Sequence, residues 1–163
     1  TELEEEGLVG AIYRRLEAVE QRSGVMARLV VLDDVGELYS PPENGREAMI
    51  DFYRLPPSLE LALYRIVQEA LNNVLKHSKA TTVTVRVRLG NETMSLEIED
   101  NGRGISADAR PRQGAGFGMQ GLKERADQIG GDFSIVSTPG SGTTVSIAGI
   151  PYRSANAGEK VTL

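Results

Sequence analysis

Three stretches of the chain hold residue types that could do chemistry, at the spacing chemistry needs. The first is Asp100-Asn101-Gly102-Arg103-Gly104, which follows directly on the alternating residues Met94, Leu96 and Ile98. An aspartate at a strand end followed by two glycines lets the backbone turn sharply while the carboxylate faces a cavity. There it can accept a hydrogen bond from an exocyclic amine, the polar feature adenine presents. An ordinary Asp-Asn-Gly turn has the same letters. The second stretch is 58–77. A wheel at about 100° per residue groups Leu59, Leu63, Ile66, Val67, Ala70 and Val74 on one arc, with Asn73 inside it, His77 near its centre and Glu69 at its edge. Glu69, Asn73 and His77 thus form an i, i+4, i+8 polar stripe at the border of a core. An unpartnered polar group there costs on the order of 1–3 kcal/mol. Either Asn73 bonds a loop backbone and His77 occupies a frayed helix end, or both face a ligand. The third is Gly116-Phe117-Gly118-Met119-Gln120-Gly121, a GxGxxG pattern opening a helix. It can set backbone N–H groups and a helix dipole beside phosphates. No βαβ unit surrounds it and no acidic residue closes a following strand, so it is not a dinucleotide fingerprint; without Gly-Lys-Ser/Thr it is not a P-loop.

The elements that must position these residues are legible in the pattern. Residues 7–22 place Leu8, Ile12, Leu16 and Val19 at helical steps, with Gly24 as the stop and no clear cap at the start. Met26–Leu32 is a strand candidate, and residues 33–57, with Pro41, Pro42, Gly45, Pro56 and Pro57, form an irregular connection holding at most a short helical turn near 47–53. The 58–77 segment starts at Pro57-Ser58, with Ser58 as the expected cap and Leu61 where a capping box would want Glu. Thr82–Leu89 alternates Val83, Val85, Val87 and Leu89 against Thr and Arg; with the Gly90-Asn91 turn and the Met94–Ile98 run it makes an antiparallel hairpin. Residues 105–117 are polar, small and aperiodic, and read as a mobile loop. A helix over 118–129 ends at Gly130-Gly131, and 133–137 and 143–147 are two more strands joined by Pro139-Gly140-Ser141-Gly142. The expected fold class is α+β: a two-layer sandwich with helices on one face of a mixed, mostly antiparallel sheet.

Composition sets the outer bounds. At 163 residues the chain suits one domain with a real core. It carries 18 Lys and Arg against 23 Asp and Glu, for a net charge of −5, which argues against a nucleic-acid binder. Without cysteine there is no disulfide framework and no thiolate metal site. No apolar run approaches a transmembrane length, and the acidic start (Glu2, Glu4, Glu5, Glu6) does not resemble a signal peptide. Ten of the 18 glycines fall within residues 102–142, which marks backbone that must turn tightly or approach a ligand.

Taken together and in this order, the three stretches resemble the catalytic, ATP-binding domain of two-component sensor histidine kinases, a superfamily shared with gyrase, the MutL repair proteins and an ATP-driven chaperone. The subgroup of nitrate-responsive and envelope-stress sensors is matched by LALYRIVQEALNNVLKHS, IEDNGRGI, GFGMQGLKERADQIGG and TPGSGTTVSI, over about residues 58–150. The resemblance implies a sandwich of the Bergerat type, with ATP and Mg²⁺ as cofactors. It implies Asn73 as the Mg²⁺ ligand; Asn72, Lys76 and His77 on the phosphate or sugar side; Asp100 on the adenine amine, with Gly102, Gly104 and Ile105 shaping the base pocket. Residues 105–117 correspond to an ATP lid, with Gly116, Phe117, Gly118, Met119, Gly121 and Leu122 at its phosphate-facing end, and Thr143 or Thr144 at the adenine end of a strand. Glu69 matches an acidic residue that activates water in gyrase-like relatives, whereas a kinase must avoid spending ATP on water.

On the same resemblance, residues 1–24 are the end of a dimerisation or linker helix and 25–150 the catalytic domain; residues 151–163, polar and terminal, are expected to be a disordered tail. The acceptor histidine of the family lies upstream on a helix, and the sole histidine here is His77, so the chain is expected to be a fragment incomplete for autophosphorylation. Expected partners are the absent phosphoacceptor helices and, through them, a response regulator; the isolated domain is expected to be a monomer or weak dimer, cytoplasmic, from a parent protein that could be membrane-anchored. Residues 36–56 are longer than that resemblance leads one to expect. An anti-sigma-type serine kinase on the same scaffold is the alternative reading, and intact Asn73, Asp100 and lid glycines argue against a module that has lost ATP.

Overall fold

The computed structural model describes residues 2–33, 35–36, 54–104 and 119–152. Helix α1 spans Glu2–Ser23, strand β1 Met26–Leu32, helix α2 Pro57–Asn73, strand β2 Thr82–Leu89, strand β3 Thr93–Asp100, helix α3 Met119–Gln128, strand β4 Asp132–Thr138 and strand β5 Gly142–Pro151. A π-helical turn, Val74–Ser78, continues α2.

The five strands form one sheet in the order β1-β2-β3-β5-β4. β1 runs parallel to β2, with Met26 opposite Thr82, and the other three pairings are antiparallel. A mixed, mostly antiparallel sheet is therefore observed as the alternation implied. On the buried face Val83, Val85 and Val87 of β2, Leu96 and Ile98 of β3, and Val145 and Ile147 of β5 meet Leu63, Ile66, Val67 and Leu71 of α2 and Leu122 and Ala126 of α3. The opposite face carries Thr84, Arg86, Glu97 and Glu99, with Arg86 paired across strands to Glu97 at 2.7 Å. In β2 and β3 the period of two sends the apolar residues inward and the polar residues outward, and one hydrophobic layer suffices to hold the helices. Leu8, Val9, Ile12 and Leu16 of α1 join the same cluster.

Several expectations are corrected. α1 begins at Glu2 and is broken at Gly7 (φ 71°, ψ −177°), so the amphipathic part restarts at Leu8. Ser58 does not cap α2: Pro56 stands at the cap position with no side-chain bond, and its carbonyl accepts the N–H groups of Leu59 and Glu60, each at 3.0 Å. Pro57 at the first helical position has no N–H to satisfy, so a hydroxyl cap is not required. His77 is exposed, not central to the apolar arc. The wheel fails there because Val74–Ser78 is wound more loosely than an α-helix, turning through less angle per residue. β5 runs past Ile147 to Pro151, and Tyr152 N–H bonds the carbonyl of Glu92 at 2.9 Å. The lid residues and most of the 36–56 connection lie outside the described residues.

Candidate functional site

Asp100 ends β3 near the middle of the sheet, opposite Val83 on one side and Thr143 on the other. It is 7% exposed. A carboxylate is brought to this buried position because the alternation of Met94, Leu96 and Ile98 places residue 100 on the same, helix-covered face. Its Oδ1 accepts the Gly102 N–H at 2.8 Å. Burial raises the carboxyl above its ordinary value, while N–H bonds from Gly102 and Thr143 act in the opposite sense and soften the rise. A carboxylate can take up to about four hydrogen bonds, so these two leave acceptor capacity for an incoming donor.

The turn after Asp100 is stitched from both sides. Asn101 Oδ1 accepts the N–H groups of Thr81 and Thr82, both at 2.9 Å, and its Nδ2 donates to Thr81 Oγ1 at 2.8 Å. Arg103 N–H bonds the Ser78 carbonyl at 2.7 Å, and Gly140 N–H bonds the Arg103 carbonyl at 2.7 Å. The turn thereby bridges the π-helical end of α2 and the β4–β5 hairpin. A Cβ at Gly102 would stand 2.3 Å from the Ser78 carbonyl oxygen, and one at Gly142 would stand 2.0 Å from that of Asp100. Both glycines are needed for close backbone approach, and at Gly142 the φ of +111° adds a second reason. Ser78, buried, ties the π-turn by donating Oγ–H to the Val74 carbonyl at 2.8 Å and accepting the Ala80 N–H at 3.2 Å.

Of the residues expected at the site, Asp100, Gly102, Gly104 and Thr143 come together. Gly104 (φ +72°) packs where a Cβ would meet the Thr138 carbonyl oxygen at 2.5 Å. Thr143, buried, shares a 2.9 Å hydrogen bond with Ser137. Thr144 lies opposite Glu99 and so on the other face of the sheet from Asp100. Glu69 and Asn73 are half-buried one turn apart on α2, and Glu69 Oε2 is 3.3 Å from Arg125 Nε of α3. Gly121 sits against this pair, where a Cβ would come within 3.3 Å of Glu69 Oε1. Lys76 and His77 are exposed on the π-turn. Asn72 turns the other way, its Oδ1 3.5 Å from Arg15 Nη2 of α1, and Leu122 is wholly inside the core. Met119 opens α3; Ile105, Gly116, Phe117 and Gly118 lie outside the described residues.

The residues missed in the sequence are Ser78, Asn101, Gly142 and Arg125. Asn101 had a usable signal, since Asn in an Asp-Asn-Gly turn can bond backbone two residues away. Here it bonds backbone twenty residues away instead, which no local pattern announces.

The family described as histidine kinase-, DNA gyrase B-, and HSP90-like ATPase matches residues 58–154. The DegS signal transduction histidine-protein kinase/phosphatase of Bacillus subtilis is 36% identical over 136 residues, covering 74% of this chain and 35% of that protein. The sensor protein VraS of Staphylococcus saprophyticus is 40% identical over 98 residues, covering 60% of this chain and 28% of that protein. The chain thus spans about a third of the length of these relatives. Among solved structures, the blue-light activated histidine kinase of Erythrobacter litoralis EL346 superposes with a TM-score of 0.60 at 20% identity, over 92% of this chain and 43% of that one. The mycobacterial sensor histidine kinase MprB gives 0.56 at 22% identity, over 88% and 93%. At that identity the superpositions establish the fold. With more than half of its length matched, and with the strand-end aspartate and its glycine turn built as described, the chain belongs to the histidine kinase-, DNA gyrase B-, and HSP90-like ATPases, as a catalytic ATP-binding domain of the histidine kinase type.

Proposed function

We propose that this domain binds Mg²⁺-ATP and supplies its γ-phosphate to a histidine on dimerisation helices outside the chain, in a two-component system whose next partner is a response regulator. The observation that carries the reading is the buried Asp100 carboxylate, held at a strand end by Gly102 N–H with acceptor capacity left over. Asp100 takes the adenine amine, Gly102 and Gly104 let the turn beside it pack directly on Ser78 and Thr138, and Thr143 borders it. ATP brings the transferable phosphoryl group; this chain's residues bind and orient it, the main demand of phosphoryl transfer.

Asn73 is assigned to Mg²⁺ through its amide oxygen. Among the described residues no three His, Cys, Asp or Glu side chains gather as a metal-holding group. A magnesium ion at Asn73 would therefore complete its octahedron with water and phosphate oxygens, as this ion commonly does. Glu69 borders the phosphate end one turn before Asn73. Lys76 and His77, exposed at the end of the same helix, are assigned to the phosphate or sugar side. Residues 1–24 are read as the junction from the dimerisation helices. No helix among the described residues is long and apolar enough to cross a membrane, and we place the domain in the cytoplasm, where ATP is.

Calorimetric titration with a non-hydrolysable ATP analogue, with and without Mg²⁺, tests the reading. Saturable binding that Mg²⁺ strengthens supports it; no binding at millimolar nucleotide overturns it.

A further inference from the structure

Glu69 and Arg125 reach each other from different helices, across the part of the fold assigned to the phosphates. Arg125 Nε lies 3.3 Å from Glu69 Oε2, and the other oxygen, Oε1, faces the bare Cα of Gly121. Both carboxylate oxygens thus meet α3. The side chains are 42% and 32% exposed, so the ion pair adds little to folding. Its consequence is for the carboxylate: a guanidinium neighbour engages a lone pair that would otherwise be open to water and fixes the direction in which the group points.

We propose that Arg125 is a positioning residue that restrains Glu69 from acting as a base on water, so that bound ATP is conserved for a protein acceptor. The inference rests on the reading of this site as an ATP site. In the reaction held back, a water oxygen forms a bond to the γ-phosphorus while the bond to the β,γ-bridging oxygen breaks. That electron pair leaves on ADP, and the proton lost by water passes to the Glu69 carboxylate. Such a base needs an oxygen lone pair aimed at the attacking water. With Oε2 against Arg125 and Oε1 over Gly121, the carboxylate is turned onto α3.

The test uses the 163-residue chain and its Arg125→Ala, Arg125→Lys, Glu69→Gln and Arg125→Ala/Glu69→Gln variants. Phosphate release from Mg²⁺-ATP is measured beside calorimetric affinity for a non-hydrolysable analogue. Arg125→Ala is expected to release phosphate about tenfold faster or more with analogue affinity within about twofold of the unaltered chain. Arg125→Lys retains most of the restraint, and the double variant falls back to the level of Glu69→Gln. In the nucleotide-free protein, the Arg125 Nε–H proton exchanges slowly by NMR and is released in Glu69→Gln. Analogue binding without a rise in Arg125→Ala, or a rise that persists in the double variant, overturns this inference alone. Failure of the unaltered chain to bind the analogue overturns the ATP reading and the inference with it.

Discussion

Glu60 Oε2 accepts the Leu8 N–H at 2.8 Å, joining residues 52 apart in sequence. The bond restarts α1 after its break at Gly7: Leu8 is the first residue of the amphipathic segment, and its N–H has no helical partner upstream of the kink. Arg54 completes the arrangement, pairing with Glu60 Oε1 at 3.2 Å and donating to the Glu4 carbonyl at 3.2 Å on the far side of the kink. One carboxylate, 1% exposed, thus caps a helix and neutralises a cation.

Removing that carboxylate should be costly. Glu60→Ala leaves the Leu8 N–H unsatisfied and Arg54 unpaired, at a cost of about 2–4 kcal/mol. Glu60→Gln keeps an acceptor and costs less. Gly7→Ala places a Cβ 2.9 Å from Glu60 Oε2 at a φ of +71°, and should cost about 1–3 kcal/mol. Urea denaturation of the three variants should rank them Glu60→Ala lowest, with unchanged m-values.

Asp100→Asn should separate binding from stability. It replaces the acceptor proposed for the adenine amine with an amide and should weaken ATP-analogue affinity roughly hundredfold. Folding responds in the opposite direction. Burial raises the Asp100 carboxyl above 3.8, so the folded chain holds that proton more tightly than the unfolded chain does. Its contribution to stability is fully present below 3.8 and is lost as the pH rises through the folded value. The Asn variant lacks this loss, so at neutral pH it should melt no lower than the unaltered chain, and its relative stability should grow as the pH rises through that window. Scanning calorimetry at a series of pH values reads this directly.

The glycines of the turn should differ sharply among themselves. Gly102→Ala and Gly142→Ala drive a Cβ into backbone at 2.3 and 2.0 Å, and should each cost about 3 kcal/mol or more together with nucleotide affinity. Gly140→Ala meets nothing within 4 Å at a φ of +79°; it should cost only about 1 kcal/mol and leave affinity intact. Thermal melts beside analogue titration distinguish the two classes.

Asn73→Ala should remove the magnesium dependence of nucleotide affinity while binding of magnesium-free ADP persists. Loss of one amide ligand predicts a decrease of about tenfold in Mg²⁺-ATP affinity. Titrations at fixed nucleotide and rising Mg²⁺ check it, and an unchanged Mg²⁺ profile counts against Asn73 as the ligand.

How much was legible follows from which forces are local. β2 is legible to its exact ends because valines at period two leave one solution for which face is buried; β1 is legible only as an apolar run, since Leu29–Leu32 does not alternate. β5 was read short because its ladder with β3 shifts register between Met94 and Leu96, and Ile150 returns to the core only after that irregularity. His77 was misplaced because the regular 3.6 period gives way at Val74, which the sequence does not mark. The Asp100-Gly102 turn was legible in type, and its supports at Ser78 and Gly140 were not.

By itself the sequence determined the strands, the β2–β3 hairpin, the apolar helix α2 and the strand end that carries Asp100, since these follow from periodicity and from residues within a few positions of one another, whereas the strand order and the parallel β1–β2 pairing came from the tertiary structure. Its motif order also pointed to the ATPase family. Only the tertiary structure decided that Glu60 caps a helix 52 residues away, that Arg125 meets Glu69, and that Thr143 rather than Thr144 shares a face with Asp100. The physical reason is that a charge has no period: a buried carboxylate and a solvated one are written with the same letter, and what each does depends on the partner the fold brings to it.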